Sequence, residues 1–194
     1  GDKKMKKRIL ISASLFHALT DAATIVTPTI FPILYSQAFL IRKYSQIGLL
    51  SNLGLITTLL LQFWVVRLSF KYEYKWLMLI SGLGIALANF LIPLAQSFGL
   101  LLLLYVFLRA VTSFYHPVVI AWISRSRTGS GQELDDAMGI QSGSGNLGAL
   151  VAFITTGYLA QHFGWKTPLY LWSLISLVMT AAGVSVIKQV SSGQ

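Results

Sequence analysis

The sequence predicts an all-α membrane protein of six transmembrane helices, and three observations carry that prediction. Of 194 residues, 55% are hydrophobic and 11% charged, against about 25% charged in an average soluble domain. Six apolar segments each supply the roughly 20 residues that a helix needs to cross the hydrocarbon core. The basic residues fall in short clusters between those segments, as membrane topology requires, rather than along one face. A soluble core could not bury this much apolar surface, and mean hydropathy is +0.68. A membrane barrel would show alternating segments of about ten residues instead of solid apolar runs.

The helices are expected at 9–35, 46–67, 76–95, 99–123, 137–160 and 167–187, within one domain spanning 1–194. The first follows Lys3, Lys4, Lys6, Lys7 and Arg8. It lacks a small-residue cleavage site and runs on too long for a signal peptide, so it reads as a retained helix, with Met5 as the natural start. Connections are short except for 124–136, Ser-Arg-Ser-Arg-Thr-Gly-Ser-Gly-Gln-Glu-Leu-Asp-Asp, which is expected to be the mobile loop. Pro28 and Pro32 in helix 1, Pro93 in helix 3 and Pro117 in helix 4 each remove a backbone donor. Ordinary bending accounts for Pro93; in helices 1 and 4 the prolines lie near polar residues, where local unwinding would open a site.

Lysine and arginine set the orientation. With the N-terminus inside, the inner side holds Lys3, Lys4, Lys6, Lys7, Arg8, Arg67, Lys71, Lys75, Arg125, Arg127 and Lys188. The outer side holds Arg42, Lys43 and Lys166, and Arg109 remains within helix 4. Both termini are thus expected in the cytoplasm, with the chain in the cell (inner) membrane.

The net charge of +9 does not indicate nucleic acid, because the basic residues form no aromatic-studded face. Without cysteine the chain has no disulfides, thiolate metal sites or cysteine nucleophiles. No HExxH, P-loop or GxSxG motif occurs, so no enzyme, cofactor or metal is expected. Glu133, Asp135 and Asp136 read as a solvated face or as the N-terminal capping of helix 5.

Charges at bilayer depth are costly and mark function by default. Asp21 lies near the middle of helix 1 and Arg109 near the middle of helix 4. His17 sits one turn from Asp21 on the same face. His116 follows Arg109 by two turns, with Ser113 between them. Two readings compete: a structural ion pair between Asp21 and Arg109 that pins helix 1 to helix 4, or the lining of a water-filled cavity for substrate and protons. His17 and His116 change charge near neutrality, which suits proton relay; either serves equally as a neutral hydrogen-bonding residue.

Helix 5 contains Gly139, Gly143, Gly145, Asn146 and Gly148. Gly139 and Gly143 form a GxxxG step, and Ser144 and Gly148 a small-xxx-small step, spacings that let another helix approach closely. Gln141 and Asn146 suit interhelical hydrogen bonds better than ligand binding.

These residues together resemble the N-terminal six-helix half of the major facilitator superfamily, in particular its fosmidomycin-resistance type of exporter. The matching stretches are His17-Ala-Leu-Thr-Asp21, Gln46-Ile-Gly-Leu, Leu60-Leu-Gln62, Phe114-Tyr-His-Pro117 and Gly145-Asn-Leu-Gly148. The resemblance implies a 3+3 inverted repeat and a proton-coupled transporter of a small organic solute or drug. It makes Arg109 a proton-coupling residue and Asp21 with His17 cavity residues. It places Gly139 to Gly148 on the helix 5 motif of antiporters, without the usual Gly-Pro element. The cytoplasmic gate loop departs from the pattern: Lys71 and Lys75 keep its basic character, but Phe70 stands where a carboxylate is usual.

Members of the family carry two such halves related by an axis along the membrane normal. A parallel homodimer of this chain would rebuild that arrangement, with helix 5 at the subunit boundary. A different partner half, excision from a longer protein, or a non-transporting scaffold subunit are the alternatives. The expected partners are the bilayer, a second copy or second half, a small-molecule substrate and protons, and no nucleic acid.

Overall fold

The computed structural model describes residues 2–126 and 131–191, with side chains described for 6–123 and 131–187. Among the described residues seven α-helices follow one another: α1 (Asp2–Ser36), α2 (Tyr44–Lys71), α3 (Tyr74–Leu91), α4 (Phe98–Thr112), α5 (Tyr115–Ser126), α6 (Gly131–Phe163) and α7 (Lys166–Ser191). A 3-10 turn, Ile92–Leu94, closes α3. Among the described residues there is no strand.

Among the described residues five helical stretches are long and apolar enough to cross a membrane: Lys6–Ser36, Tyr44–Lys71, Tyr74–Leu94, Phe98–Ile123 and Lys166–Ile187. The expected fifth span, 137–160, lies within α6, whose 33 residues have ample length. It is absent from those five because Gln141, Ser142, Ser144, Asn146 and its glycines dilute its hydropathy.

The long connection expected at 124–136 is shorter than the sequence suggested. Residues 131–136 already belong to α6 and 124–126 to α5; residues 127–130, with Arg127, lie outside the described residues. Glu133 stands in the first turn of α6, where a carboxylate complements the helix dipole. It reaches Lys6 of α1 at 3.7 Å, tying those two helix ends together.

The prolines act differently from expectation. α1 stays helical through Pro28 and Pro32, so helix 1 does not unwind. Pro93 does more than bend α3: it enters the 3-10 turn that ends it. Pro117 lacks the N–H that would bond the Ser113 carbonyl, and residues 113–114 form a turn that divides helix 4 into α4 and α5.

Packing follows the rules of apolar solvents, in which small residues and interhelical hydrogen bonds join helices. α1 lies chiefly against α6 and α7, α3 against α7 and α4, and α2 against α4. Gly148 of α6 sits against the Ala18 backbone of α1, where a Cβ would have no room. At Gly183 of α7 an added Cβ would come within 2.5 Å of the Phe16 ring. Ser12 donates to the Gly183 carbonyl at 3.0 Å, Ser81 to Val111 at 2.8 Å and Ser173 to Ala86 at 2.8 Å. Phe16, Leu19, Ile30, Met78, Ile85 and Leu101 are among the buried side chains of the shared core. α2 stands at the edge: only 17% of its most apolar stretch is buried, against 56% for α1.

Candidate functional site

The polar residues of α1 meet α5, not α4. His17 and Asp21 are one turn apart, and Nε2 of His17 stands 3.3 Å from Oδ2 of Asp21. The other carboxylate oxygen, Oδ1, is 3.9 Å from Nε2 of His116, in the first turn of α5. The two imidazoles meet edge to face, 5.1 Å between centroids. Asp21 thus bridges two histidines, and its side chain is 25% exposed against 44% for His116 and 7% for His17. The cluster is closed on the His17 side and open on the His116 side.

Three neighbours fix this geometry. Tyr115 stacks on His17 at 4.7 Å. Its hydroxyl lies 2.7 Å from the Ala13 carbonyl of α1 and 2.9 Å from Oε1 of Gln141 in α6, and the phenol proton can serve one of these acceptors at a time. Gln141 therefore makes the interhelical contact that its position suggested. Gly145 of α6 faces the pair directly: an added Cβ would lie 2.5 Å from Asp21 Oδ2 and 2.7 Å from His17 Nε2. Nδ1 of His17 is buried without a hydrogen-bond partner.

Arg109 belongs elsewhere. Its aliphatic stem lies against α2, where a Cβ added to Gly54 would be 3.0 Å from Arg109 Cγ and 2.9 Å from the Tyr105 ring. Nε is buried and unpartnered. Among the described residues Arg109 makes no ion pair, so the pinning pair with Asp21 does not form; histidines occupy the carboxylate. Ser113 is not a lining residue either. It caps α4, fully buried, and its hydroxyl donates to the Ala110 carbonyl of its own helix at 2.6 Å. The single polar face expected from Arg109 through Ser113 to His116 is split by the turn at 113–114.

The small residues of α6 divide between two faces. Gly145 and Gly148 are buried against α1, so they serve packing within the chain rather than a subunit boundary. Gly139 and Gly143 have open space around them, and Asn146 is exposed. At the α2–α3 connection only Tyr72 and Glu73 separate the helices. Lys71 lies over the Tyr72 ring at 5.4 Å, and Lys75 pairs with Glu73 at 3.0 Å. The basic side chains of this loop are thus engaged locally.

A separate crevice of about 670 Å³ opens between α1, α6 and α7, lined by apolar residues such as Leu10, Leu147, Val151 and Trp172, with Lys7 at its rim. Its walls include none of His17, Asp21 and His116.

Sequence reasoning missed Tyr115 as a site residue, although it stands within the Phe114-Tyr-His-Pro117 stretch. A phenol beside a histidine in an apolar run needs a hydrogen-bond partner, and that requirement was the available signal.

A search of curated proteins finds no match to this chain. The sequence profile of the Major Facilitator Superfamily matches residues 11–191, from the start of the apolar part of α1 to the end of α7. Members of that family are membrane transporters, and the apolar helices fit a multi-pass membrane protein. A match over nearly the whole length identifies the chain as a member of the major facilitator superfamily.

Proposed function

We propose that the protein is a secondary active transporter that couples proton movement to the passage of a small organic solute by alternating access. The observation that carries this reading is the cluster that Asp21 and His17, midway along α1, form with His116 at the start of α5, open on one side. A carboxylate and two imidazoles at that depth are costly unless they serve a pathway. Imidazole takes up and releases protons near neutral pH, and both rings face the same carboxylate, His17 at 3.3 Å and His116 at 3.9 Å. These distances are short of hydrogen-bond contact but close enough for a small rotation or a bridging water to connect the groups. Arg109, with an unpartnered guanidinium nitrogen on the α2 side, is the second coupling residue in this reading.

The helix contacts support a 3+3 repeat. The first helix of each triplet lies on the second of the other, α1 on α6 and α4 on α2, while the third helices, α3 and α7, pack together. An axis in the membrane plane produces such an exchange. The exposed apolar faces of α2 and α6, including the open steps at Gly139 and Gly143, support pairing with a second half of the same orientation. A second copy of this chain is the partner we favour, and a different six-helix half would use the same faces. The distribution of lysine and arginine supports cytoplasmic termini in the cell membrane. A non-transporting scaffold gives no reason for the cluster.

Purified protein in proteoliposomes, given a pH gradient and a panel of solutes, tests the reading. Asp21→Asn and Arg109→Ala should each abolish proton-driven flux. Unchanged pH dependence of flux in both variants would rule proton coupling out.

A further inference from the structure

His17, Asp21 and His116 bring two imidazole nitrogens and a carboxylate oxygen within 4.8 Å of one another. From this juxtaposition we propose that the trio binds a borderline divalent transition-metal ion, with Zn²⁺ as the reference, in a site that keeps one coordination position open. This goes beyond proton coupling: it concerns equilibrium binding by the same side chains and stands or falls independently.

Geometry is the first support. An ion held tetrahedrally at about 2.0–2.1 Å keeps its ligand atoms about 3.3–3.4 Å apart. Nε2 of His17 and Oδ2 of Asp21 already stand at 3.3 Å. His116 needs a modest inward rotation from 3.9 Å. Its half-exposed ring, directly after the 113–114 turn, has the freedom to make it. Each oxygen of Asp21 faces a different histidine, so the carboxylate can serve either arrangement.

Ligand chemistry selects the ion. Two imidazoles and one carboxylate suit zinc, cobalt or nickel. The chain has no cysteine to attract softer ions. Calcium needs six to eight oxygens, as a rule, where this cluster has one carboxylate. The surroundings also fit. Tyr115 holds the His17 ring by stacking, and Gly145 leaves clear the space beside Asp21 Oδ2 and His17 Nε2 that a side chain would fill. The exposed side of Asp21 and His116 leaves room for a water or substrate atom as the remaining ligand.

Nothing in the sequence pointed to a metal: His17 and Asp21 share a helix, but His116 lies far along the chain, and the set matches no ligand spacing motif.

The test uses tag-free full-length protein in detergent, titrated with Co²⁺ and then with Zn²⁺. The expected result is a saturable visible ligand-field band at one Co²⁺ per chain, displaced by Zn²⁺, and a Zn²⁺-dependent rise in thermal midpoint. Loss of residues that merely support metal ligands costs about 10–100-fold in affinity, so His116→Gln and Asp21→Asn should each weaken binding about tenfold or more. His162→Gln, an exposed histidine of α6, should leave binding unchanged. His116 is half exposed, so its variant should fold; circular dichroism and monodisperse elution check this, and His116→Gln decides alone where Asp21→Asn does not fold. Absence of a saturable band, or binding that survives both substitutions or is lost with His162→Gln, overturns the proposal. Flux is read separately. A wild type that binds no Co²⁺ while His116→Gln loses proton-driven flux sinks the ion site and spares proton coupling. Ion binding with pH-independent flux does the reverse.

Discussion

At Gly148 and Gly145 the hydrogen in place of a side chain sets how closely α6 lies on α1. Gly148 touches the Ala18 backbone, which has nowhere to move, so Gly148→Val should destabilise the protein by about 1–3 kcal/mol or more, the usual cost of overpacking. Gly143, with open space around it, should accept leucine without loss of monomer stability. Thermal unfolding of both variants in detergent checks the contrast. The residues of the cluster were legible in the sequence because a charge within an apolar run has few innocent explanations. Their partners were not. A helical wheel puts Arg109, Ser113 and His116 on one face, but it assumes an unbroken helix, and the turn at 113–114 sends Arg109 to α2 and His116 to α1. The buried end of Ser113 was likewise invisible, since local and long-range hydrogen bonds are equally compatible with a serine; for Tyr115 the need of a partner was legible but not which helices supply it.

Among the elements, α5 is the most informative. It is a 12-residue piece held to α4 by two turn residues and to α1 and α6 through Tyr115. Tyr115→Phe keeps the ring that stacks on His17 and removes the hydroxyl. The loss should be about 0.6–2 kcal/mol of stability, the range for polar contacts between membrane helices, with a larger effect on transport than on fold. A parallel measurement of thermal midpoint and flux separates the two. Most helix positions followed from hydropathy, and the second begins with Gln46 accepting from the Arg42 and Lys43 amides, at a residue the sequence already marked as its entry. Boundaries at the α5–α6 connection did not follow, because Gln132, Glu133, Asp135 and Asp136 read as loop by polarity. They form the exposed first turns of a helix that continues past the apolar run, and Gln132 bonds Asp136 at 2.9 Å across one of those turns.

For the whole molecule, the exposed apolar surface is the decisive quantity. α2 presents Leu55, Leu59, Phe63 and Trp64 outward, and α6 presents Ile140, Leu147, Leu150 and Phe153. Cysteine introduced at Gly139 should cross-link between two chains in native membranes under the homodimer reading, and Gly143→Leu should abolish that cross-link while leaving the monomer folded. Recovery of monomer alone, with transport intact, rules the homodimer out. α6 has the most extensive contact with α1 of any helix pair, yet it is not apolar enough to be among the five self-sufficient spans. A segment of that kind gains less from hydrocarbon than the other five and more from a preformed seat. Its entry into the bilayer as the chain is made should therefore wait on α1: displayed alone in a leader-fused insertion reporter it should remain largely outside, and with α1 ahead of it in the same chain it should go in.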